Sequence, residues 1–275
     1  MQRIISSHLA VGNRLTTSWL GKVERAGFPA VEIFCARQHF DYRDTLQVAD
    51  LGHWFRDSEL KLHALHSPMF TDEVWGRPGP QTHINITERA KAERIQWVDE
   101  IKRALEVAET IPYQYLIQHL GVTGQEFSEY AIDAAFNSLE ELQIFARQRG
   151  VEILLENTPN ELSSAERLQL FNSMTHLKLN YCFDAGHANL GAGVEHEFEI
   201  MASRIRSLHL HGNNGQEDSH LFPFAEGDNL DWAGTMKLLR SRPGQYPLLL
   251  ELRDPGTHSN PLDEAKRVCG QLEEI

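Results

Sequence analysis

Imidazoles and carboxylates recur at the ends of short apolar runs along this sequence. KLHALH ends in His66, YLIQH in His119, VEILLE in Glu156 and LNYCFD in Asp184, with His187 three residues on. SLHLH carries His209 and His211, the segment after it holds Asp218 and His220, and PLLLEL closes near Glu251. A lone histidine at such a place is ordinarily a hydrogen-bonded structural residue. A carboxylate that closes an apolar strand is harder to explain, because its charge needs a partner there. Groups of this kind concentrated at one rim would repel and desolvate one another without compensating cations. Carboxylate and imidazole without thiolate suit Zn²⁺ or Mn²⁺, and also Co²⁺, better than Ca²⁺ or an iron–sulfur cluster. The pattern therefore predicts a divalent-metal site.

The elements that position these groups follow from periodicity. Eight apolar runs of four to seven residues (3–9, 30–34, 61–66, 115–119, 151–156, 179–184, 207–211 and 247–252) alternate with segments of helical period. Val98, Ile101, Leu105 and Ala108 form one apolar stripe, Ile132, Ala135, Leu139, Leu142 and Phe145 a second, and Leu262, Ala265, Val268 and Leu272 a third. Further helices are expected near 15–26, 45–57, 195–203 and 231–241, and Ser163 with Glu166 reads as a capping box. Eight strands and eight helices in alternation predict parallel strands with helical crossovers, an α/β (β/α)₈ TIM barrel in a single domain over residues 1–275. A doubly wound sheet is the runner-up, but the first turn, HLAVGNRL, has no GxGxxG. In a parallel barrel the strand ends that carry the imidazoles and carboxylates surround one mouth, where catalytic residues collect.

Composition narrows the partners. Lys and Arg number 26 against 39 Asp and Glu, a net charge of −13, which suits a small-molecule substrate and opposes broad phosphate binding to nucleic acid. The two longest loops after strands, 67–84 and 212–229, contain Arg77 as their only basic side chain apart from histidine. Three cysteines without a CxxC pair exclude a disulfide framework and a Cys-rich zinc module. No stretch reads as a signal peptide or a membrane span, so a cytoplasmic location is expected. His8 is placed at the first strand end, with lining the pocket and a polar core role both open. His39, His53, His63, His83, His176, His196 and His258 are read as structural or solvated. Trp75, Phe70, Phe222 and Phe224 are candidates for covering a ligand.

HSP at 66–68, QHLG at 118–121, LLENTP at 154–159, FDAGHANLG at 183–191, LHLHGNNGQEDSHLFPFAEGDNLDW at 208–232 and LLLEL at 248–252 together resemble the xylose isomerase-like TIM-barrel superfamily. That group includes ketose 3-epimerases, hydroxypyruvate isomerase, inosose-processing enzymes, dehydroshikimate dehydratase and endonuclease IV. The resemblance runs over essentially the whole chain. It implies that Glu156, Asp184, His209 and Glu251 form the single-metal set of the isomerases and epimerases. It implies further that His66, His119, His187, Asp218 and His220 complete a three-metal set like that of endonuclease IV, so that one to three ions are expected. The chain departs from the pattern at Gly215, where ketose epimerases would show an arginine, and at Gly212, where many members have Asp.

The function so implied is a metal-dependent isomerase or epimerase of a sugar or sugar-like polyol, working by proton abstraction through an enediolate. Glu156 and Glu251 are the expected acid and base. His187, His220, His211, Trp75 and Phe70 are the expected substrate contacts. A multi-zinc hydrolase of the endonuclease IV type is the alternative, and a non-catalytic metal- or sugar-binding barrel the third reading. Self-association into a homo-oligomer is left open.

Overall fold

Eight strands pair edge to edge, and every neighbouring pair is parallel. The computed structural model describes residues 1–72, 82–241 and 246–275. The strands are β1 (Arg3–Ser6), β2 (Ala30–Phe34), β3 (Lys61–His66), β4 (Tyr115–Gln118), β5 (Glu152–Glu156), β6 (Asn180–Asp184), β7 (Ile205–His209) and β8 (Leu248–Leu250). Their order, β7-β6-β5-β4-β3-β2-β1-β8, makes a nearly closed barrel, and a parallel bridge between Leu210 and Leu250 carries the seam just beyond β7. The expected (β/α)₈ barrel is the fold found. Among the described residues no helix is long and apolar enough to cross a membrane.

The helices are α1 (Thr17–Ala26), α2 (Thr45–Asp57), α3 (Lys91–Glu106), α4 (Glu129–Arg147), α5 (Ala165–Met174), α6 (Ala185–Leu190), α7 (Val194–Met201), α8 (Trp232–Arg240) and α9 (Pro261–Glu274). Their apolar stripes pack on the outward residues of the strands, so Leu20, Ile101, Leu139, Leu168 and Leu272 share one core with Ile5, Val31, Leu65, Leu116, Ile153 and Phe183. The capping box is displaced by one residue. Ser164 caps α5, its Oγ accepting from Arg167 N at 3.4 Å and donating to Glu166 at 3.0 Å. Ser163 instead ties the ends of β4 and β5 together, donating to Leu120 O at 2.6 Å and accepting from Leu120 N at 3.0 Å.

Two helices, not one, follow β6. Asp184 caps α6 by accepting from His187 N at 2.7 Å, and Gly193, with φ +105°, breaks the chain before α7. Two strand ends also move. β1 stops at Ser6 and a single 3₁₀ turn carries His8, and β7 lies two residues earlier than its apolar run suggested, leaving His211 beyond its end.

Candidate metal centre

Alternation along a strand builds the site. Inside the barrel lie two small apolar clusters, Ile4 with Ala30 and Leu249, and Ala64 with Ile117, Leu154 and Cys182. Side chains two residues farther along a strand face the same way. Two residues beyond Ala64, Ile117, Leu154, Cys182 and Leu249 come His66, His119, Glu156, Asp184 and Glu251, and His209 follows Ser207 in the same phase. The barrel interior thus changes from apolar to ionisable within one step of the pleat, at the carboxyl ends of the strands.

Three groups of donor atoms result, each with all its atoms within 4.8 Å of one another. In the first, Glu156 Oε2 lies 3.0 Å from His119 Nε2 and 3.5 Å from His66 Nε2, and the two imidazole nitrogens are 3.3 Å apart. In the second, His209 Nδ1 lies 2.9 Å from Glu156 Oε1, 3.2 Å from Glu251 Oε2 and 3.8 Å from Asp184 Oδ2. The third joins His187, His211, Asp218 and His220, with Asp218 3.3 Å from His187 Nε2, 3.4 Å from His220 Nε2 and 3.7 Å from His211 Nε2. Glu156 belongs to the first two groups, one oxygen to each.

Burial and charge are severe. Glu156, Asp184 and His209 are 0% exposed and Glu251 2%. Burial opposes the charge of Glu156, yet His209, His119 and His187 hold its carboxyl well below the usual carboxylate range. Burial likewise works against Asp184 and Asp218, and the imidazoles around each still keep it below its ordinary value. Against the same penalty, Asp184, Asp218 and Glu156 raise His187 well above 6.5, and the Cys182 thiol and the carboxylates of Glu251, Glu32 and Glu156 raise His209. His66 is raised by Glu156 despite its burial, and His220 is raised to about 9, chiefly by Asp218. His119 goes the other way, because burial outweighs Glu156. In the chain alone, protons on imidazoles neutralise the carboxylates.

The donor sets fit divalent cations. Ligands of a tetrahedral ion with bonds of about 2.0–2.2 Å sit about 3.3–3.6 Å apart, and the contacts of the imidazole nitrogens given above run from 2.9 to 3.8 Å within groups whose atoms all lie within 4.8 Å. Asp184 Oδ2, Glu251 Oε1 and His211 Nε2 are buried without a hydrogen-bond partner. His211 Nε2 lies 3.2 Å from Asp184 Oδ1 but is not aligned to bond it.

The outer nitrogens of several imidazoles are already engaged. His66 Nδ1–H donates to Ser67 O at 2.9 Å, His187 Nδ1–H to Asn157 O at 2.9 Å and His220 Nδ1–H to Glu251 O at 2.9 Å. These bonds leave each Nε2 for the cluster, as metal-binding histidines require. His220 is held in the left-handed region at φ +49°, a conformation that a non-glycine residue adopts only when its surroundings enforce it.

The nine expected metal-type residues lie in the three donor groups. His211 is fully buried, stacked 3.9 Å from the His220 ring, so it sits within the third donor group rather than on an open substrate face. Its close approach to the chain explains Gly186, where a Cβ would come within 2.2 Å of the His211 ring. Trp75 lies outside the described residues. Phe70 lines an open cleft of about 840 Å³, mouth included, whose floor carries His66, His119, His187 and Asp218. His83, read from sequence as structural or solvated, lines the same cleft with its ring 4.7 Å from Phe70. Phe222 belongs to the hydrophobic core, and the Phe224 ring lies tilted against Trp232 with centroids 6.0 Å apart. His8 is buried, its Nδ1–H donating to Leu252 O at 3.1 Å.

Two buried residues escaped the sequence reading. Glu32, in the middle of β2, sets both carboxylate oxygens 3.1 Å from His209 Nε2. Asn157 brackets the Asp184 backbone, donating to its carbonyl at 2.9 Å and accepting from its N–H at 2.7 Å, and donates to Glu197 at 2.9 Å. The signal for Glu32 was present, since AVEIF is an apolar run interrupted by one carboxylate.

The family model for the xylose isomerase-like TIM barrel matches residues 20–274. The chain belongs to this family. An uncharacterized protein of Methanocaldococcus jannaschii, MJ1311, is 26% identical over 230 residues, 79% of this chain and 72% of its own length. A D-tagatose 3-epimerase-like protein superposes with a TM-score of 0.77 at 24% identity, covering 100% of this chain and 98% of that one. The IOLI protein, solved with a bound zinc atom, gives 0.76 at 17% identity over 99% and 96% of the two chains. At these identities the likeness to the solved structures is one of fold.

Proposed function

We propose that the chain is a divalent-metal-dependent isomerase or epimerase of a sugar or sugar-like polyol. The observation that carries the reading is the second donor group, Glu156, Asp184, His209 and Glu251, buried at the barrel mouth with two carboxylate oxygens left unpaired. The family, and the solved relatives named for an epimerase and for bound zinc, support it. A divalent ion held by these four residues would act as a Lewis acid, lowering the cost of charge at a substrate carbonyl and its neighbouring hydroxyl. Zn²⁺ and Mn²⁺ are the candidates the donors suit.

The protein's own groups account for the proton transfers. Glu251 Oε1 has no hydrogen-bond partner, so it is free to take a proton from the carbon beside the carbonyl. Glu156 is the second carboxylate, and a proton passed to it from one of the imidazoles that hold its charge could go on to that carbon or its neighbour. Return to the opposite face inverts the centre, and return to the adjacent carbon isomerises it. His187 and Asp218, which edge the cleft, are placed for substrate hydroxyls. Among the described residues no Lys or Arg lines the cleft, which favours an uncharged substrate over a phosphorylated one. The expected result is uptake of solvent deuterium at the carbon next to the carbonyl of a ketose or aldose in D₂O, lost in Glu251→Gln.

The three adjoining donor groups, two of them sharing Glu156, favour one second reading, a multi-zinc hydrolase. Efficient incision of abasic duplex DNA, abolished by Glu156→Ala, would establish it and overturn the isomerase.

A further inference from the structure

Glu32 belongs to none of the three donor groups, yet it is a carboxylate with 0% exposure in a strand buried at all five positions. A charge placed there is costly unless something pairs with it. Among the described residues its carboxylate has one hydrogen-bonding partner, His209 Nε2, which lies 3.1 Å from both oxygens. We infer that Glu32 is a positioning residue that fixes which nitrogen of His209 faces the cluster of Glu156, Asp184 and Glu251. The inference rests on the reading of that cluster as a metal site.

An ionised carboxylate only accepts hydrogen bonds, so the N–H shared between the two oxygens belongs to Nε2. An imidazole that ligates a cation is neutral and has a single N–H, which leaves the lone pair on Nδ1. Nδ1 is the atom that faces Glu156, Glu251 and Asp184, at 2.9, 3.2 and 3.8 Å. Glu156 and Glu251 would each accept a proton from that same nitrogen, so without Glu32 the cluster itself would favour the tautomer with its lone pair turned to the barrel floor. Glu32 pairs with Ala64 across the β2–β3 ladder, while His66 is the next inward residue of β3, so the carboxylate sits one step below the ligand layer. It therefore reaches the ring from the side opposite the cluster. A carboxylate behind a histidine ligand also makes the ligand nitrogen more basic.

The test is zinc affinity by competition with a chromophoric chelator, on the full chain stripped of metal and reloaded. Glu32→Gln keeps the shape and removes the charge, and it should weaken zinc binding about 10–100-fold, with Glu32→Asp recovering part of the loss. Long-range ¹H–¹⁵N correlations of the zinc-loaded unmodified protein give a readout independent of any variant, and should show the His209 proton on Nε2. An affinity within about twofold of the unmodified chain in a folded Glu32→Gln protein, well short of the loss expected for such a partner, would overturn the role of Glu32 alone. A His209 proton on Nδ1 would do the same. Failure of the unmodified chain to bind zinc, or binding unchanged by Asp184→Asn, would overturn the metal reading and this inference with it.

Discussion

Asn157 makes a sharp test of how the site is held, because it belongs to none of the three donor groups and yet fixes the Asp184 backbone from both sides. Replacing it by alanine removes the acceptor for Asp184 N and the donor to Asp184 O, and strips Glu197 Oε2 of a hydrogen bond. All three residues are buried, Asn157 and Asp184 completely, so water cannot replace the bonds without opening the fold. Amide hydrogen bonds contribute about 1 kcal/mol each, and one to a carboxylate about 1.5–3 kcal/mol, so the loss is about 4 kcal/mol. In a chain of this size each kcal/mol moves Tm by about 2–4 °C, which gives a fall of about 8–16 °C. The backbone that slackens also carries the Asp184 cap on His187 N, so two donor groups loosen together. Differential scanning calorimetry of the metal-free protein measures the first effect. Zinc titration of the same samples measures the second, expected as a loss of at least about tenfold in affinity. A variant melting within about 2 °C of the unmodified chain, far less than that loss implies, with the same zinc affinity, would refute the reasoning.

His39 makes the fold acid-sensitive independently of the metal centre. Its Nδ1–H donates to Asn13 O at 2.6 Å and its Nε2 accepts from the Ser7 hydroxyl at 2.9 Å, and burial pushes it from 6.5 down to about 4. The unfolded chain takes this proton first, so stability is full above pH 6.5 and falls as pH drops toward 4, by about 3 kcal/mol. Urea titrations at several pH values should show a smaller acid loss in His39→Gln. Gly212→Ala would bring a Cβ to 2.5 Å from the carboxyl carbon of Asp228, whose oxygens accept from Phe224 N, Leu230 N and Trp232 Nε1. Overpacking of this kind costs about 1–3 kcal/mol, and an unchanged Tm would show that the loop yields. Joint replacement of His66 and His119 by alanine should lower the zinc count per chain by one while the second group keeps its ion, and an unchanged count by elemental analysis would remove the first group from the metal reading.

The barrel and its mouth were legible because two periodicities coincide there. Apolar runs with helical segments between them specify the parallel sheet, and the last inward position of each run lies at the same end. A carboxylate at such a position, as in Glu156 or Asp184, stands out against its neighbours. What was not legible depends on distances between elements. Asn157 follows Glu156 directly and looks like loop chemistry, and only the packing of β5 against β6 sets it beside the Asp184 backbone. His211 lies two residues after His209, and strand alternation alone would send both the same way. β7 ends at His209, and the chain beyond it turns His211 into a different donor group. His83 was unreadable for a similar reason, since its place in the cleft comes from the pairing of its segment with Phe70.

Glu32 shows the limit of reading strand ends alone. The test applied to Glu156, that a carboxylate in an apolar run needs a partner, applies equally to AVEIF, but Glu32 lies in the middle of its run. In a barrel, being mid-strand and inward places a group beneath the mouth, out of reach of substrate and within reach of the ligands above it. An ionisable residue at that depth is best asked which ligand it supports, and for Glu32 the 3.1 Å contacts name His209. The same logic separates the roles of the two cluster carboxylates. Glu156 spends both oxygens on imidazoles of two donor groups, whereas Glu251 keeps Oε1 unpaired, so under the proposed function charge balance would fall mainly to the first and proton abstraction to the second.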